Sequence, residues 1–305
     1  MAAPWIPVLD DHAMNGWLQR LLHRGDPESP LCFYDTISHD WIRLTPGQHI
    51  ALIGVSGSGK SNLIADLLVN LSPHIDDGTA LVYGIDLKGG IELDRFGGCL
   101  ADLATTLDET VTLLERLNQQ LDQRMRILRA AHKTSIRVSR DTPMILVVVD
   151  EAAELTGGID KQTKQQQERI RVLLDRLLRL GRACKFTIQL ASQDPRKESM
   201  PLRDRCPTRI ALRLNSIEET KMLLGDSAVQ AGAAPWLIGP RQPGTGYIYD
   251  AERNRAIRFH GQQVPDDVIK NLRDTHPTRI GTTHDGQCGT TDDTDDKDKN
   301  ATSTA

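Results

Sequence analysis

A glycine-rich octet that ends in lysine and serine is the part of the sequence whose residue types and spacing most directly indicate chemistry. It reads Gly54-Val55-Ser56-Gly57-Ser58-Gly59-Lys60-Ser61. Backbone N–H groups of such a turn bind phosphate oxygens, the lysine neutralises the outer phosphates, and the serine hydroxyl binds Mg²⁺. The octet therefore predicts a binding site for ATP with Mg²⁺ as its companion ion.

Two adjacent carboxylates, Asp150 and Glu151, directly follow the apolar run Met144–Val149. We expect Asp150 to order Mg²⁺ together with Ser61, and Glu151 to polarise the water that attacks the terminal phosphate. Taken alone, the pair also fits a strand that merely ends in a polar loop. The octet about 90 residues upstream favours the hydrolytic interpretation.

A third apolar segment, Lys185–Leu190, runs into the sequence Ala191-Ser192-Gln193-Asp194-Pro195. A polar side chain at the end of a neighbouring strand can contact the terminal phosphate or orient water, so Ser192 or Gln193 is a candidate for this role. The alternative is an ordinary turn, because turns are rich in such residues.

The elements that must position these residues alternate between strand and helix. Continuous apolar runs typical of parallel strands covered on both faces occur at Ile50–Ile53, Ala80–Ile85, Met144–Val149, Phe186–Leu190 and Arg209–Leu214. Helical patterns follow the octet and cover Asp102–Ala131 and Gln166–Leu180, and the latter carries an apolar stripe expected in the core. Residues 246–250 and 256–260 predict a hairpin, Leu31–Ile42 a strand and turn, and Met14–Leu22 a short helix.

Composition restricts the class of protein. The chain has 305 residues, 39% of them hydrophobic, and no apolar run near the roughly 20 residues of a membrane span. Residues 281–305 contain six aspartates and two lysines, which equals the whole formal charge of −4; this segment predicts disorder. Five scattered cysteines without paired spacing predict reduced thiols and no zinc-type site. Without a secretory signal, we expect a cytoplasmic protein.

Seven motifs in this order resemble the motor domain of the FtsK/SpoIIIE family of double-stranded DNA translocases. Besides the three segments above, the similar stretches are Gly84–Gly90 with its Asp-Leu-Lys string, Leu180–Ala183, Cys206–Ala211 and Arg258–Gly261. The resemblance covers about residues 46–265 and is strongest to short plasmid-transfer members from mycelial Gram-positive bacteria. Division-type members tend to have Arg-Pro where this chain has Asp194-Pro195, which puts a role of that arginine in doubt.

The resemblance implies an α/β fold with a RecA-like P-loop NTPase core, a mainly parallel sheet and flanking helices. It also implies a hexameric ring around duplex DNA, with ATP between subunits and Arg182 as an arginine finger for the neighbouring site; Arg179 is the fallback. A cation at a helix C-terminus explains Arg182 equally well. The expected domains are a lead-in at 1–45, the ATPase at 46–275 and a tail at 276–305.

The predicted function is that of an ATP-driven translocase that moves double-stranded plasmid DNA during conjugation. Membrane-associated transfer proteins are expected as further partners, and peripheral attachment to the membrane is left open. A P-loop phosphotransferase fits less well, and a nucleotide-gated DNA or secretion-channel adaptor with little turnover remains an alternative. Basic residues considered for DNA contact are Lys88, Arg124, Arg126, Arg129, Lys133, Arg137, Arg140, Arg196, Lys197, Arg203 and Arg205. For any one of them, a solvated surface cation is the competing explanation.

Overall fold

A largely parallel sheet organises the part of the chain that the structure, a computed structural model, describes: residues 30–196, 198–250 and 253–275. The predicted helix Met14–Leu22, the tail 276–305 and Lys197 lie outside these residues. The strands are β1 Leu31–Asp35, β2 Asp40–Leu44, β3 Ile50–Ile53, β4 Ala80–Ile85, β5 Asp102–Ala104, β6 Met144–Val149, β7 Phe186–Ser192, β8 Thr208–Leu212, β9 Thr245–Asp250 and β10 Arg255–His260. The helices are α1 Lys60–Asp76, α2 Leu107–Ala130, α3 Lys161–Leu180, α4 Ile217–Leu224, α5 Asp226–Gln230 and α6 Asp266–Thr275.

The main sheet has the strand order β10-β9-β8-β3-β7-β6-β4-β5 within the described residues. Strands β8 to β5 in that order run parallel, and the β9–β10 hairpin adds to β8 in the antiparallel sense. Ile53 is in register with Ser192, and Val149 with Leu190 and Ile85. The carboxyl ends of β3, β4, β6 and β7 therefore meet at one edge of the sheet, which we call the carboxyl edge.

Helices cover both faces of the sheet, as its continuous apolar strands require. One buried cluster lies under α2 and α3, and the stripe of α3, from Ile170 to Leu178, belongs to it. The other lies under α1 and α6 and includes Leu31 and Phe33 of β1. The Phe33 ring packs against Phe259 of β10, with 4.9 Å between the ring centroids, so the β1–β2 hairpin shares this core.

The predicted α/β fold with a mainly parallel sheet is confirmed, and so is the hairpin near residues 246–260. The prediction that Asp102–Ala131 is helical throughout was wrong at its start, because Asp102–Ala104 pairs with β4 as an edge strand. Helix α2 begins only after Thr106, whose side chain accepts a hydrogen bond from the Glu109 N–H in a capping box. The domain division at residues 45 and 275 stays a prediction, and the packing of β1 favours an earlier start.

Candidate nucleotide-binding site

The glycine-rich octet leaves β3 and turns at the carboxyl edge before α1 begins. Its first residues are held by the neighbouring strands: the Gly54 N–H donates to the Ser192 carbonyl at 3.2 Å and the Val55 N–H to the Arg213 carbonyl at 3.0 Å. Gly57 and Gly59 have φ angles of 68° and 100°, a region that L-residues with a Cβ avoid. A Cβ at Gly57 would meet no atom of the described residues within 4 Å, so this loop opens outward.

A distant turn supports the octet from behind. The Gly244 N–H donates to the Ser58 carbonyl at 2.7 Å, and a Cβ on Gly59 would lie only 2.3 Å from the Gly244 nitrogen. Glycine at position 59 is therefore required by this close approach as well as by its φ angle. At the start of α1, the Asn62 amide donates to the Gln262 carbonyl at 2.7 Å.

A cleft of about 400 Å³ opens in front of the octet. It is lined by Ser56, Gly57, Ser58, Gly59, Lys60, Ser61, Asn62, Lys88, Glu92, Asp150, Glu151, Gln193 and Pro243. The structure therefore brings Lys60, Ser61, Asp150, Glu151 and Gln193 together, as the sequence predicts. Sequence reasoning missed Asn62, Glu92 and Pro243; the Pro-Gly pair at 243–244 was the only local signal for a turn there.

Lys60 is a partly buried cation of this cleft. Its Nζ donates to the Gly54 carbonyl at 2.6 Å. Burial lowers the pKa of Lys60 to about 8, against the opposing effect of the nearby Glu151 and Asp150 charges. A bound phosphate would supply the negative charge that burial makes necessary, so the lysine fits a nucleotide.

Asp150 lies half-buried at the end of β6. Burial, followed by the charges of Asp86 and Glu92, raises the pKa of Asp150 to about 6. A divalent cation would relieve this crowding of negative charge. Among the described residues no set of three His, Cys, Asp or Glu side chains is placed to hold a metal ion. The arrangement suits Mg²⁺, which usually binds through one or two protein oxygens together with phosphate and water; Ser61 and Asp150 would supply the protein oxygens.

Glu151 is buried, with a residue exposure of 7%. Its Oε1 accepts a hydrogen bond from the Gln193 backbone N–H at 3.3 Å, and its Oε2 lies 3.5 Å from Lys88 Nζ. Lys88, considered as a candidate for DNA contact, therefore lies in the nucleotide cleft. The Gln193 main chain orients the carboxylate, whereas a phosphate-sensing role for the Gln193 side chain stays a prediction.

Ser192, the other candidate for contact with phosphate, is fully buried. Its Oγ accepts from the Asp194 N–H at 3.1 Å and donates to the Asp194 carbonyl at 3.2 Å. Because this hydroxyl closes the turn after β7, Gln193 is the residue of the pair that faces the cleft.

Arg182 lies at the opposite edge of the sheet, in the short turn between α3 and β7. Its side chain is exposed, whereas Arg179 forms a salt bridge with Asp175 at 2.9 Å. The seven residues of β7 separate Arg182 from Gln193, a span of about 20 Å. Arg182 therefore does not reach the cleft of its own chain.

The other basic residues considered for DNA contact fall into three groups. Arg124 is buried and donates to the Cys184 and Pro143 carbonyls, at 2.8 and 2.7 Å. Arg203 is also buried, so neither side chain is available to contact DNA in this structure. Arg196 and Arg205 are paired with Asp194 and Asp175. The exposed side chains that have no salt bridge within the described residues are Arg126, Arg129, Lys133, Arg137 and Arg140.

The sequence of this chain is similar to those of a known protein family. The sequence model of the FtsK/SpoIIIE family matches residues 34–232. The chain belongs to this family. The FtsK/SpoIIIE chain is 30% identical over 222 residues to the transfer protein TraSA of Streptomyces ambofaciens, covering 67% of this chain and 52% of TraSA. It is 32% identical to a sporulation regulatory protein of Streptomyces azureus, covering 65% and 66% of the two chains.

Solved structures share the fold of this FtsK/SpoIIIE chain. The conjugation coupling protein TcpA of pCW3, in a monomer form with ATPgS, superimposes with a TM-score of 0.69 at 22% identity, covering 88% of this chain and 72% of TcpA. The cytoplasmic domain of the Thermomonospora curvata secretion ATPase EccC gives a TM-score of 0.60 at 23% identity, over 86% and 34% of the chains. The match to TraSA spans about half of that relative's length. Within the described residues, no helix has both the length and the apolar character needed to cross a bilayer.

Proposed function

We propose that this chain is an ATP-hydrolysing motor that moves double-stranded plasmid DNA in conjugative transfer. The observation that carries the proposal is the meeting of Lys60, Asp150 and Glu151 in one cleft at the carboxyl edge. Lys60 and the octet would bind the phosphates, Ser61 and Asp150 would hold Mg²⁺, and Glu151 would orient the attacking water. Family membership and the similarity to TraSA support DNA as the cargo.

The ring part of the proposal rests on Arg182. Its position, about 20 Å along β7 from the cleft, suits a cation that completes the site of a neighbouring protomer. An arginine finger stabilises the charge of the transferring phosphoryl group and contributes about 10³-fold or more to turnover. We infer a ring, with six protomers as in the family, in which this edge faces the next cleft.

Complementation tests that arrangement. Arg182→Ala and Lys60→Ala should each be inactive alone. Mixing them should restore part of the ATPase activity, because a site to which the Arg182→Ala protomer contributes Lys60 and the Lys60→Ala protomer contributes Arg182 is intact. Arg179→Ala is the matched control, since it removes an arginine that already has a carboxylate partner. Full activity of Arg182→Ala alone would remove this residue from the mechanism.

The cargo is tested by steady-state ATP hydrolysis with and without linear duplex DNA, across a series of salt concentrations. We expect many-fold stimulation by DNA that decreases with salt, as contacts to backbone phosphates require, and no activity in Lys60→Ala. Glu151→Gln should retain ATP binding and lose hydrolysis. Slow hydrolysis that duplex DNA does not stimulate would refute the proposal of a motor and favour a nucleotide-gated adaptor.

The exposed residues Arg129 and Arg137 are the first DNA-contact candidates to test, since they lack a salt bridge within the described residues. Replacing both by alanine should reduce the slope of log affinity against log salt by about 0.9 for each lost phosphate contact. Arg169→Ala is the control, because Arg169 is paired with Glu115 at 2.9 Å. An unchanged slope would exclude these two residues as contacts.

A further inference from the structure

The loop after β4 projects a second lysine, Lys88, into the nucleotide cleft. The buried Asp86 carboxylate fixes the loop by accepting hydrogen bonds from the N–H groups of Lys88, Glu92 and Leu93, at 3.0, 3.0 and 3.2 Å. Asp86 thus anchors the main chain, while the Lys88 side chain remains 40% exposed. The loop is fixed and the long side chain at its tip is free to change partner.

The Lys88 ammonium group lies against the carboxylate that the proposed function assigns to water activation. Lys88 Nζ is 3.5 Å from Glu151 Oε2 and 3.9 Å from Glu154 Oε1. The other oxygen of Glu151 accepts from the Gln193 N–H. Both Glu151 oxygens are therefore engaged, and the Lys88 ammonium group competes with water for Oε2.

The two partners of Glu151 differ in mobility. The Gln193 N–H is part of the main chain directly after β7, held between two parallel neighbours. The Lys88 ammonium is carried by a flexible side chain, and its charge lies near enough to Lys60 to oppose that lysine's protonation. Two cations thus share one cleft, and a polyphosphate would attract both.

We propose that Lys88 is a positioning residue that pairs with Glu151 while the cleft is free and transfers to the terminal phosphate of a bound nucleoside triphosphate. The transfer breaks one ion pair, forms another and uncovers Glu151 Oε2 for water. Only a nucleotide with a third phosphate has an anion to offer at that place, so Glu151 becomes available when ATP is bound and not when ADP is bound. The inference rests on the proposed role of Glu151 but not on DNA as cargo.

Binding without turnover tests this inference. Affinities for ATPγS and ADP are measured by calorimetry with Mg²⁺ and without DNA. Lys88→Ala should weaken ATPγS binding by about tenfold, the loss of one charge-assisted contact, and ADP binding by less than about twofold. Lys88→Arg should restore most of the difference, and Lys164→Ala, an exposed lysine of α3, should change neither affinity. Equal effects on both nucleotides, or none, would overturn the proposal.

A double-mutant cycle tests the exchange itself. Glu151→Gln removes the competing partner of Lys88, so ATPγS should bind several-fold more tightly to this variant than to the natural chain. In a Lys88→Ala background the same change should have little effect, because no ammonium group remains to be released. An equal effect of Glu151→Gln in both backgrounds would overturn the exchange. If duplex DNA does not stimulate hydrolysis, the proposal of a DNA motor is refuted, but these binding results and the inference about Lys88 are unaffected.

Discussion

Gln189 provides a test of the packing that supports the cleft. It lies fully buried in β7, and neither its amide nitrogen nor its amide oxygen has a hydrogen-bond partner within the described residues. Its neighbours in register are Ile50 and Val148, both apolar. An unsatisfied buried polar group costs about 1–3 kcal/mol, and an apolar side chain of the same shape removes that cost. Gln189→Met, a linear side chain of similar size, should therefore stabilise the fold by about 1–3 kcal/mol.

Thr187, two residues earlier on the same strand, is the matched control. It is equally buried, but its Oγ1 accepts a hydrogen bond from the Gly47 N–H at 2.7 Å. Thr187→Val leaves that N–H unpaired, so it should destabilise the fold by about 1–3 kcal/mol. Two polar-to-apolar changes on one strand thus have opposite expected signs.

The measurement is urea unfolding without nucleotide, followed by circular dichroism, with midpoints compared at equal slope. In a thermal scan, each kcal/mol should move the Tm by about 2–4 °C. If Gln189→Met lowers the free energy of unfolding by 1 kcal/mol or more at unchanged slope, the Gln189 amide has a partner and the reasoning fails.

The remaining predictions concern nucleotide binding and the buried cation. Because the pKa of Lys60 is about 8 and that of Asp150 about 6, MgATPγS affinity measured by calorimetry should be highest between these values; it should fall above pH 8 as Lys60 loses its proton and below pH 6 as Asp150 gains one. Gly59→Ala should abolish nucleotide binding in the same assay, because its Cβ would clash with backbone and its φ angle is strained; near-normal affinity would contradict this. Arg124→Met should destabilise by about 2–4 kcal/mol in urea, since it leaves the buried Cys184 carbonyl and the partly buried Pro143 carbonyl without their donor. Exposed Arg126→Met should stay within about 0.5 kcal/mol, and similar effects of both changes would argue against the Arg124 contacts.

The parts of the site that the sequence predicts correctly are those in which neighbours in the chain are neighbours in space. The octet, with Lys60 and Ser61, forms its own turn, and Asp150-Glu151 sits at the end of the strand that delivers it. Parallel register then brings these ends to one edge. Apolar runs alone were enough to predict the strands of the parallel sheet, because these strands are buried on both faces.

The parts that escaped prediction depend on contacts between distant segments. Lys88 and Arg124 are both cations with polar neighbours in the sequence. In the fold, however, the Lys88 side chain lines the cleft, whereas the Arg124 side chain is buried in the core. Pro243 reaches the cleft only because the next residue bonds to Ser58. The strand Asp102–Ala104 is too short to show a period of its own, although the Thr106-Leu107-Asp108-Glu109 string does mark the true start of α2.

The distant segments that support the octet and the start of α1 are made late during synthesis of the chain. Asn62 at the start of α1 bonds to Gln262, 200 residues further along the chain. At about 5–20 residues per second, a ribosome takes roughly 10–40 s to make that stretch. The phosphate loop therefore emerges long before the segments that support it. A nascent chain that already carries the octet and Asp150-Glu151 still lacks the contacts from Gly244 and Gln262.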